Sequence, residues 1–273
     1  MKRIIMLIVA VFLAFGLSHT VSAVTCKDLN TKEKIKAFAK KSKESNPLQR
    51  ENASGFLEIR TNDKGKKKKE VVHSLRMKDK RRIVFTKGQN APICLVSSGK
   101  REFKCNECTV LTNSQCRSFK SSEKTTTIRG TNIDTEDFTL AQGNNHDSKC
   151  LELPKSPKYF KIISTKKGGD SPYDKIESFY DKKKEIPIMM KLYAKGVLRK
   201  VYRFFPKYYI QLKGQWLSTV TRVRTTQGSE KKFTFETMVL VQKDKNKKYR
   251  LYLDPMKDPA LKKTDPGMLF RTN

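Results

Sequence analysis

The chain has 273 residues, with 59 lysines and arginines against 27 acidic residues, and its formal net charge is +32 at pH 7. This balance favours anionic partners such as phospholipid head groups, lipopolysaccharide, acidic polymers or nucleic acid, although a surface merely solvated by lysine has the same composition. The sequence has three histidines, no Gly-x-Ser-x-Gly elbow and no glycine-rich phosphate loop. We therefore expect neither enzymatic activity nor a cofactor.

Residues 1–23 have the pattern of a cleavable secretory signal peptide. A basic start precedes an apolar run over residues 4–17, and Val21-Ser22-Ala23 offers small side chains for cleavage after Ala23. The run is shorter than the roughly 20 residues of a membrane span, and Thr25 before Cys26 does not suit a lipoprotein box. We expect an exported mature chain, with an uncleaved anchor or a lipoprotein as the alternatives.

The N-terminal segment of the mature chain, residues 24–53, is predicted to be a helix followed by a linker. The helix covers residues 30–42, and Asn30 with Glu33 fits a capping box. From residue 54 the apolar period changes to strand alternation. A hairpin turn is predicted at residues 62–65, and further strands follow.

All six cysteines lie in the mature chain, at Cys26, Cys94, Cys105, Cys108, Cys116 and Cys150. An even number in an exported protein indicates disulfides, and fifteen pairings are open. Cys105-Asn-Glu-Cys108 is also compatible with half a zinc site or a redox pair, but the sequence has no second such pair and no histidine pair at ligand spacing. The region from about 94 to 150 reads as a cysteine-rich insertion, with a short helix at 135–140.

From residue 159 to residue 253, strand patterns alternate with turns every 10 to 15 residues, which favours one extended antiparallel sheet over βαβ units. Aromatic residues near 202–209 stand among lysines and arginines, an arrangement that can bind single-stranded nucleic acid. We favour the interpretation in which these aromatics alternate into a core, and we expect no specific nucleic-acid partner.

Several short motifs occur in a recognisable order. The stretch from Tyr173 to Phe204 contains a strand ending in Asp-Lys, an Ile-Pro strand and a glycine turn. Gly214-Gln215-Trp216 follows, and Asp265 to Arg271 brings a final phenylalanine after a short turn. Weaker matches cover residues 54–59 and 130–138. Together these motifs resemble the LolA-like family of outer-membrane lipoprotein-sorting proteins, over about 100 residues of the C-terminal half.

The resemblance implies a mainly β fold with some α: a strongly curved antiparallel sheet, or unclosed β-barrel, with a few helices packed in its mouth. Residues 54–273 would form this single domain. It also implies a non-enzymatic periplasmic carrier or chaperone of lipoprotein or lipid acyl chains, whose concave apolar face binds them. By alternation, the candidate lining residues are Leu57, Ile59, Met77, Ile83, Phe85, Met190, Leu192, Trp216, Phe233 and Phe235.

An anionic membrane surface and an inner-membrane transporter are the further partners expected of such a carrier. Two alternatives remain open from the sequence. One is an envelope interaction protein that binds the anionic membrane surface, the cell wall or a transporter and carries no ligand. The other is an exported polyanion-binding protein.

Overall fold

A computed structural model describes residues 23–45, 50, 52–78, 80–88, 91–98, 101–112, 114–118, 146–168, 173–226, 233–261, 264 and 268–270. The predicted signal peptide, apart from Ala23, and the predicted helix at 135–140 lie outside the described residues. Within these ranges, no helix combines the length and the apolar character that a transmembrane span requires.

The described residues form one α-helix, sixteen strands and a few 3₁₀ turns. Helix α1 covers Lys32–Lys43. The strands are β1 (Asn52–Asp63), β2 (Lys66–Met77), β3 (Lys80–Lys87), β4 (Cys94–Ser98), β5 (Arg101–Asn106), β6 (Ser114–Ser118), β7 (His146–Glu152), β8 (Tyr159–Lys166), β9 (Lys175–Asp181), β10 (Ile186–Ala194), β11 (Val197–Phe204), β12 (Tyr209–Leu212), β13 (Gln215–Ser218), β14 (Val220–Thr226), β15 (Phe233–Val241) and β16 (Leu251–Tyr252). The 3₁₀ turns are Pro206–Tyr208, Pro255–Lys257, Pro259–Leu261 and Met268–Phe270.

One large antiparallel sheet contains all of these strands except β12 and β13, which form a separate hairpin. Its order is β6-β5-β4-β3-β2-β1-β15-β14-β11-β10-β9-β8-β7, and β16 pairs with the start of β1. Among the described strands, the two at the ends of this order, β6 and β7, do not pair with each other. The curved sheet is therefore unclosed, which confirms the predicted fold class.

The N-terminal helix begins one residue later than the capping box predicted. Thr31 is the N-cap: its backbone is extended, and its side-chain oxygen accepts the Lys34 N–H at 3.3 Å. Asn30 instead accepts a hydrogen bond from the Lys34 ammonium at 3.1 Å. The prediction of Asn30 as the cap was wrong because asparagine and threonine can both cap a helix, and it is Thr31 that has the extended backbone of the cap residue.

The cysteine-rich region contributes strands to both ends of the sheet, with β4 to β6 at one end and β7 at the other. The structure selects one of the fifteen pairings: Cys94 with Cys108, Cys105 with Cys116, and Cys26 with Cys150. The first two bridges lie within β4, β5, β6 and their connections. The third joins the segment before α1 to β7, which is 124 residues away in sequence.

The two faces of the sheet are both covered between β1 and β5. On one face, side chains from β1, β2 and β3 share a single apolar cluster with side chains from β9, β10 and β11. Strands this far apart in the order can share a cluster only on the inside of the curve, so this face is concave. On the outer face, Leu75 and Val84 pack with the C-terminal residues Leu261, Leu269 and Phe270. We refer to the described residues in this part of the chain, 254–261, 264 and 268–270, as the C-terminal strap.

Candidate functional site

The strand register aligns the side chains of the concave face in rows. One row runs across nine strands and consists of Lys68, Thr61, Thr237, Val223, Tyr202, Met190, Ser178, Ile162 and Cys150. The next row contains Glu70, Ile59, Val239, Thr221 and Phe204. A third contains Phe85, Val72, Leu57 and Val241. The concave face is thus apolar along most of its width.

Seven of the ten predicted lining residues meet in this concave cluster. Leu57, Ile59, Ile83, Phe85 and Leu192 are buried in it, and Met190 and Trp216 are partly buried against it. Phe235 lies on the same face, paired with Asp63 and Thr225, but outside the cluster. The side chain of Phe233 is outside the described residues.

Met77 is on the opposite face and packs in the outer cluster with the C-terminal strap. Val72 and Met77 differ by an odd number of positions along β2, so their side chains point to opposite sides of the sheet. Assignment by alternation failed here because both faces of β2 are covered. The apolar residues Val71, Leu75 and Met77 follow the outer face, and Val72 alone marks the inner one.

Helix α1 covers the β8–β9 part of the concave face. Phe38 places its ring 5.4 Å from that of Phe160 and 5.0 Å from that of Tyr180, and these three rings form the centre of a separate small cluster. The Cys26–Cys150 disulfide ties the segment before α1 to the concave face, because Cys150 belongs to the row described above. A helix of twelve residues is marginal in isolation, so these contacts hold it in place.

The β12–β13 hairpin covers the neighbouring part of the concave face. Tyr209 and Leu217 are buried in the cluster. The Tyr209 hydroxyl donates to the Pro187 carbonyl at 2.6 Å, which fixes the hairpin to β10. Trp216 lies at the surface of the cluster, with the Lys184 ammonium 4.5 Å from the centre of its ring. Its indole thus has one side against apolar residues and the other against a cation.

Polar side chains interrupt the apolar surface toward one end of the strands. Thr61, Thr237 and Thr221 are buried on the concave face, and so are Glu70 and Lys200. Within the described residues, no group of three His, Cys, Asp or Glu side chains is arranged to hold a metal ion. The chemistry that this face offers is apolar contact, with hydroxyl and charged groups at one end.

A depression of about 320 Å³ lies away from this face, at the β7–β8 edge of the sheet. It is lined by Asp147, Ser148, Lys149, Ile163, Thr165 and Lys167. Lys167 pairs with Asp147 at 3.1 Å, so the polar groups of the depression partly satisfy one another. We do not assign the candidate site to it.

The aromatic residues near 202–209 mostly point into the protein. Tyr202, Phe204 and Tyr209 are buried in the concave cluster, whereas Phe205 is half-buried and Tyr208 is exposed. This confirms that the run alternates into a core and does not present a stacking platform.

Two structural features of the outer face were not predicted from the sequence. Arg82 is completely buried and donates to the carbonyls of Val110, Thr109 and Thr112 at 2.6, 2.7 and 2.5 Å. Burial lowers the pKa of its guanidinium to about 10. The second feature is the C-terminal strap, whose only signal was the apolar pair Leu269-Phe270 after several prolines.

The fold resembles that of several solved structures. A proposed outer membrane lipoprotein-sorting protein domain from Vibrio parahaemolyticus aligns with a TM-score of 0.58 at 15% identity, over 75% of this chain and 88% of the other. A LolA superfamily protein from Nitrosomonas europaea aligns with a TM-score of 0.57 at 13% identity, over 80% and 91%. A DUF1329 family protein from Desulfovibrio piger gives 0.55 at 16% identity, over 70% and 83%. No family model and no curated protein sequence matches the chain.

Proposed function

We propose that this protein, which has the LolA-like fold, is a non-enzymatic periplasmic carrier of the acyl chains of lipoproteins or lipids. The observation that carries the proposal is the apolar cluster of the concave face, which extends from β3 to β9 of an unclosed sheet and has partly buried apolar side chains at its margin. Burial of an acyl chain against such a surface gains about 0.8 kcal/mol for each CH₂ group. No covalent chemistry is required of the protein for this role.

The surface of the concave cluster has the side chains that an acyl chain needs. Met190, Trp216, Leu95, Ile210 and Leu212 are only partly buried where they pack against the cluster. They can therefore contact a ligand without the buried residues having to move. Methionine adapts to irregular apolar shapes because its side chain is unbranched and polarisable.

The proposed location follows from the predicted signal peptide and from the fold. Export to a periplasm would place the three disulfides in an oxidising compartment, where such bonds persist. It would also place a mature chain of net charge +30, the +32 of the full chain less Lys2 and Arg3, between anionic membrane surfaces. An inner-membrane transporter that loads the carrier is the further partner that we propose.

Trp216 permits a direct test because it is the only tryptophan in the chain. A brominated fatty acid that enters the concave face should quench its fluorescence saturably, and the unbrominated fatty acid should reverse the quenching by competition. Protein purified from the periplasm should also yield stoichiometric lipid on extraction and mass spectrometry. The absence of both quenching and co-purified lipid would contradict the proposal.

Two neighbouring methionines of β10 provide a matched pair of variants. Met190 points to the concave face opposite Tyr202, whereas Met189 pairs with Arg203 and points to the other side. Both are half-buried. Met190→Gln should weaken binding of the fatty acid several-fold because it places an amide against the acyl chain. Met189→Gln should leave binding unchanged, and equal losses in the two variants would argue against the concave face as the site.

The second candidate is an envelope interaction protein that carries nothing. The observation that favours it is the burial of most of the concave cluster beneath α1 and the β12–β13 hairpin, as expected of a filled core. Under this hypothesis the protein binds anionic vesicles in a salt-sensitive way but takes up no acyl probe. A polyanion binder would instead shift nucleic acid in gels, and binding that persists only at low salt would indicate nonspecific charge.

A further inference from the structure

Three tight hairpin turns share an unusual residue choice. In each turn, a lysine and the glycine after it both have positive φ. The φ angles are 47° and 91° in Lys64-Gly65, 51° and 71° in Lys195-Gly196, and 49° and 76° in Lys213-Gly214. Two-residue turns of this kind favour asparagine, aspartate or glycine at the first position, because the left-handed region is costly for other residues. The chain thus places a lysine ammonium at three hairpin tips where the backbone favours another residue.

The β1–β2 hairpin carries the densest positive charge among the described residues. Lys64, Lys66, Lys67, Lys68 and Lys69 are all exposed. Lys69 pairs with Glu58 at 2.8 Å, while the other four make no ion pair with a described residue. Glu58 is shared with Arg60, so it neutralises little of this charge.

This lysine-rich part of β2 extends past the neighbouring strand. Pairing between β2 and β3 ends at Val71 with Lys87, and Gly88 lies against Lys69, so Lys66, Lys67 and Lys68 have only β1 beside them among the described strands. The tip is therefore uncovered on the β3 side of β2, although β1 stays paired with β15 as far as Asp63, and its exposed ammonium groups can approach a flat surface.

A second lysine turn lies at the same end of the sheet. The register brings the start of β15 beside the end of β1, and the end of β14 beside the start of β11. The Lys195-Gly196 turn between β10 and β11 is thus about four strand spacings, or roughly 20 Å, from the Lys64-Gly65 turn. Val197 follows it and is 41% exposed, one of the few large exposed apolar residues described.

We infer that this end of the sheet, comprising the β1–β2 hairpin tip and the Lys195–Val197 turn, docks the protein on an anionic lipid bilayer. Clustered lysines beside a membrane are attracted by the negative surface potential, and an exposed apolar side chain adds contact with the interface. The cations of the β1–β2 tip, which stand beside one carboxylate at Asp63, are all lysines, each a compact charge on a flexible stem. Arginine would be expected where a specific acidic protein is recognised through paired hydrogen bonds.

This inference rests on the proposed export to a membrane-bounded compartment but not on the acyl cargo. The test is sedimentation of the purified protein with vesicles of phosphatidylcholine alone and of phosphatidylcholine with 30% phosphatidylglycerol (a probe composition). The variant Lys66→Gln/Lys67→Gln/Lys68→Gln removes three charges from the tip. The matched control is Lys245→Gln/Lys247→Gln/Lys248→Gln, which removes the same number of lysines from an exposed loop after β15.

The native protein should bind the anionic vesicles, dissociate from them as the salt concentration is raised, and not bind the neutral vesicles. The tip variant should bind roughly 100-fold more weakly, about five-fold for each lysine lost, and the control no more than about three-fold. If both variants lose the same amount of vesicle binding, the binding depends only on net charge, and the inference is overturned. Absence of binding to anionic vesicles would overturn it too and leave an acidic protein as the partner.

The two proposals fail separately. The tip variant should still show quenching of Trp216 by a brominated fatty acid, and Met190→Gln should still bind anionic vesicles. A tip variant that loses both properties would show damage to the fold and would contradict the assignment of docking to this hairpin.

Discussion

His73 and Asp258 form a completely buried pair, with Nε2 of the histidine 2.9 Å from Oδ2 of the aspartate, although the two residues are 185 positions apart in sequence. Asp258 also accepts the N–H of Ala260 at 2.9 Å, within the C-terminal strap. The ring of Phe56 lies 4.8 Å from that of His73, and the Arg250 guanidinium carbon lies 3.4 Å from the centre of the Phe56 ring. The pair therefore fastens the strap to the outer face of β2.

Asp258→Asn should destabilise the protein at neutral pH. Burial alone would raise the pKa of Asp258, but the hydrogen bonds from His73 and Ala260 outweigh it, and the pKa is lowered. The carboxylate thus stabilises the fold above the unfolded pKa of about 4, and the contribution is lost as pH falls through the lower folded pKa. We expect a loss of about 1.5–3 kcal/mol at pH 7.

Urea unfolding as a function of pH checks this prediction. Below about pH 4, the stability of Asp258→Asn should converge on that of the native protein. The control is Asp254→Asn, because Asp254 caps another turn of the strap through Met256 N–H but lies in a less buried position. If both variants lose the same stability, the buried pair has no special role.

Loss of the Cys26–Cys150 bridge should destabilise the protein more than loss of Cys105–Cys116. The first closes a loop of 124 residues and the second one of 11. Loop-closure entropy predicts a cost of about 5 kcal/mol for the longer loop and about 3 kcal/mol for the shorter. The double alanine variants can be compared by thermal unfolding.

The same comparison has a local readout. Without the Cys26–Cys150 bridge, the amides of α1 should exchange with deuterium faster than they do in the native protein. This increase should exceed any increase for the amides of β10 and β11. Unchanged protection of α1 would mean that the aromatic contacts of Phe38 suffice to hold the helix. The Cys105–Cys116 variant should leave the exchange of α1 as it is.

Arg82→Met should destabilise the protein by about 1–3 kcal/mol, because three partly buried carbonyl oxygens lose their donor. Arg82→Lys should recover only part of this, since one ammonium cannot reproduce the guanidinium fork that reaches Thr109, Val110 and Thr112. Chemical unfolding provides the measurement, with Arg60→Met as an exposed control. A loss below about 1 kcal/mol would show that the loop does not depend on Arg82.

Lys64→Asn should stabilise the protein by about 0.5–1 kcal/mol, because asparagine tolerates the left-handed region better than lysine. Lys66→Asn provides the control at an extended position of the same hairpin, where asparagine has no such advantage and disfavours the strand. Thermal unfolding of both variants at high salt separates the backbone effect from charge repulsion. A destabilised Lys64→Asn variant would contradict the account of the turn.

The fold was predictable where one face of a strand is apolar and turn residues bound it. The hairpin turn at residues 62–65 was predicted from Asn-Asp-Lys-Gly, and the structure confirms it, with Asn62 accepting the Gly65 N–H at 3.0 Å. Gly214-Gln215-Trp216 likewise opens β13 as predicted. These signals are local, so a single sequence contains them in full.

The assignment of faces was less predictable because it depends on contacts remote in sequence. Met77 was assigned to the concave face, but the strap gives the outer face of β2 its own apolar partners. Nothing near Met77 indicates Leu261 or Phe270. The burial of Arg82 was not predicted for the same reason. Its neighbours in β3 have the pattern of an ordinary strand, and its carbonyl partners belong to a loop more than 25 residues later in the chain.

The central seam of the sheet joins β1 to β15, pairing Leu57 with Val241. The strands on either side of this seam can form hairpins early, but the concave cluster and the His73–Asp258 pair both require residues from its two sides. Folding dominated by such distant contacts is slow. A chain emerging from the ribosome would thus lack its concave core until its final quarter is made, and a chain without this core is suited to threading through an export channel.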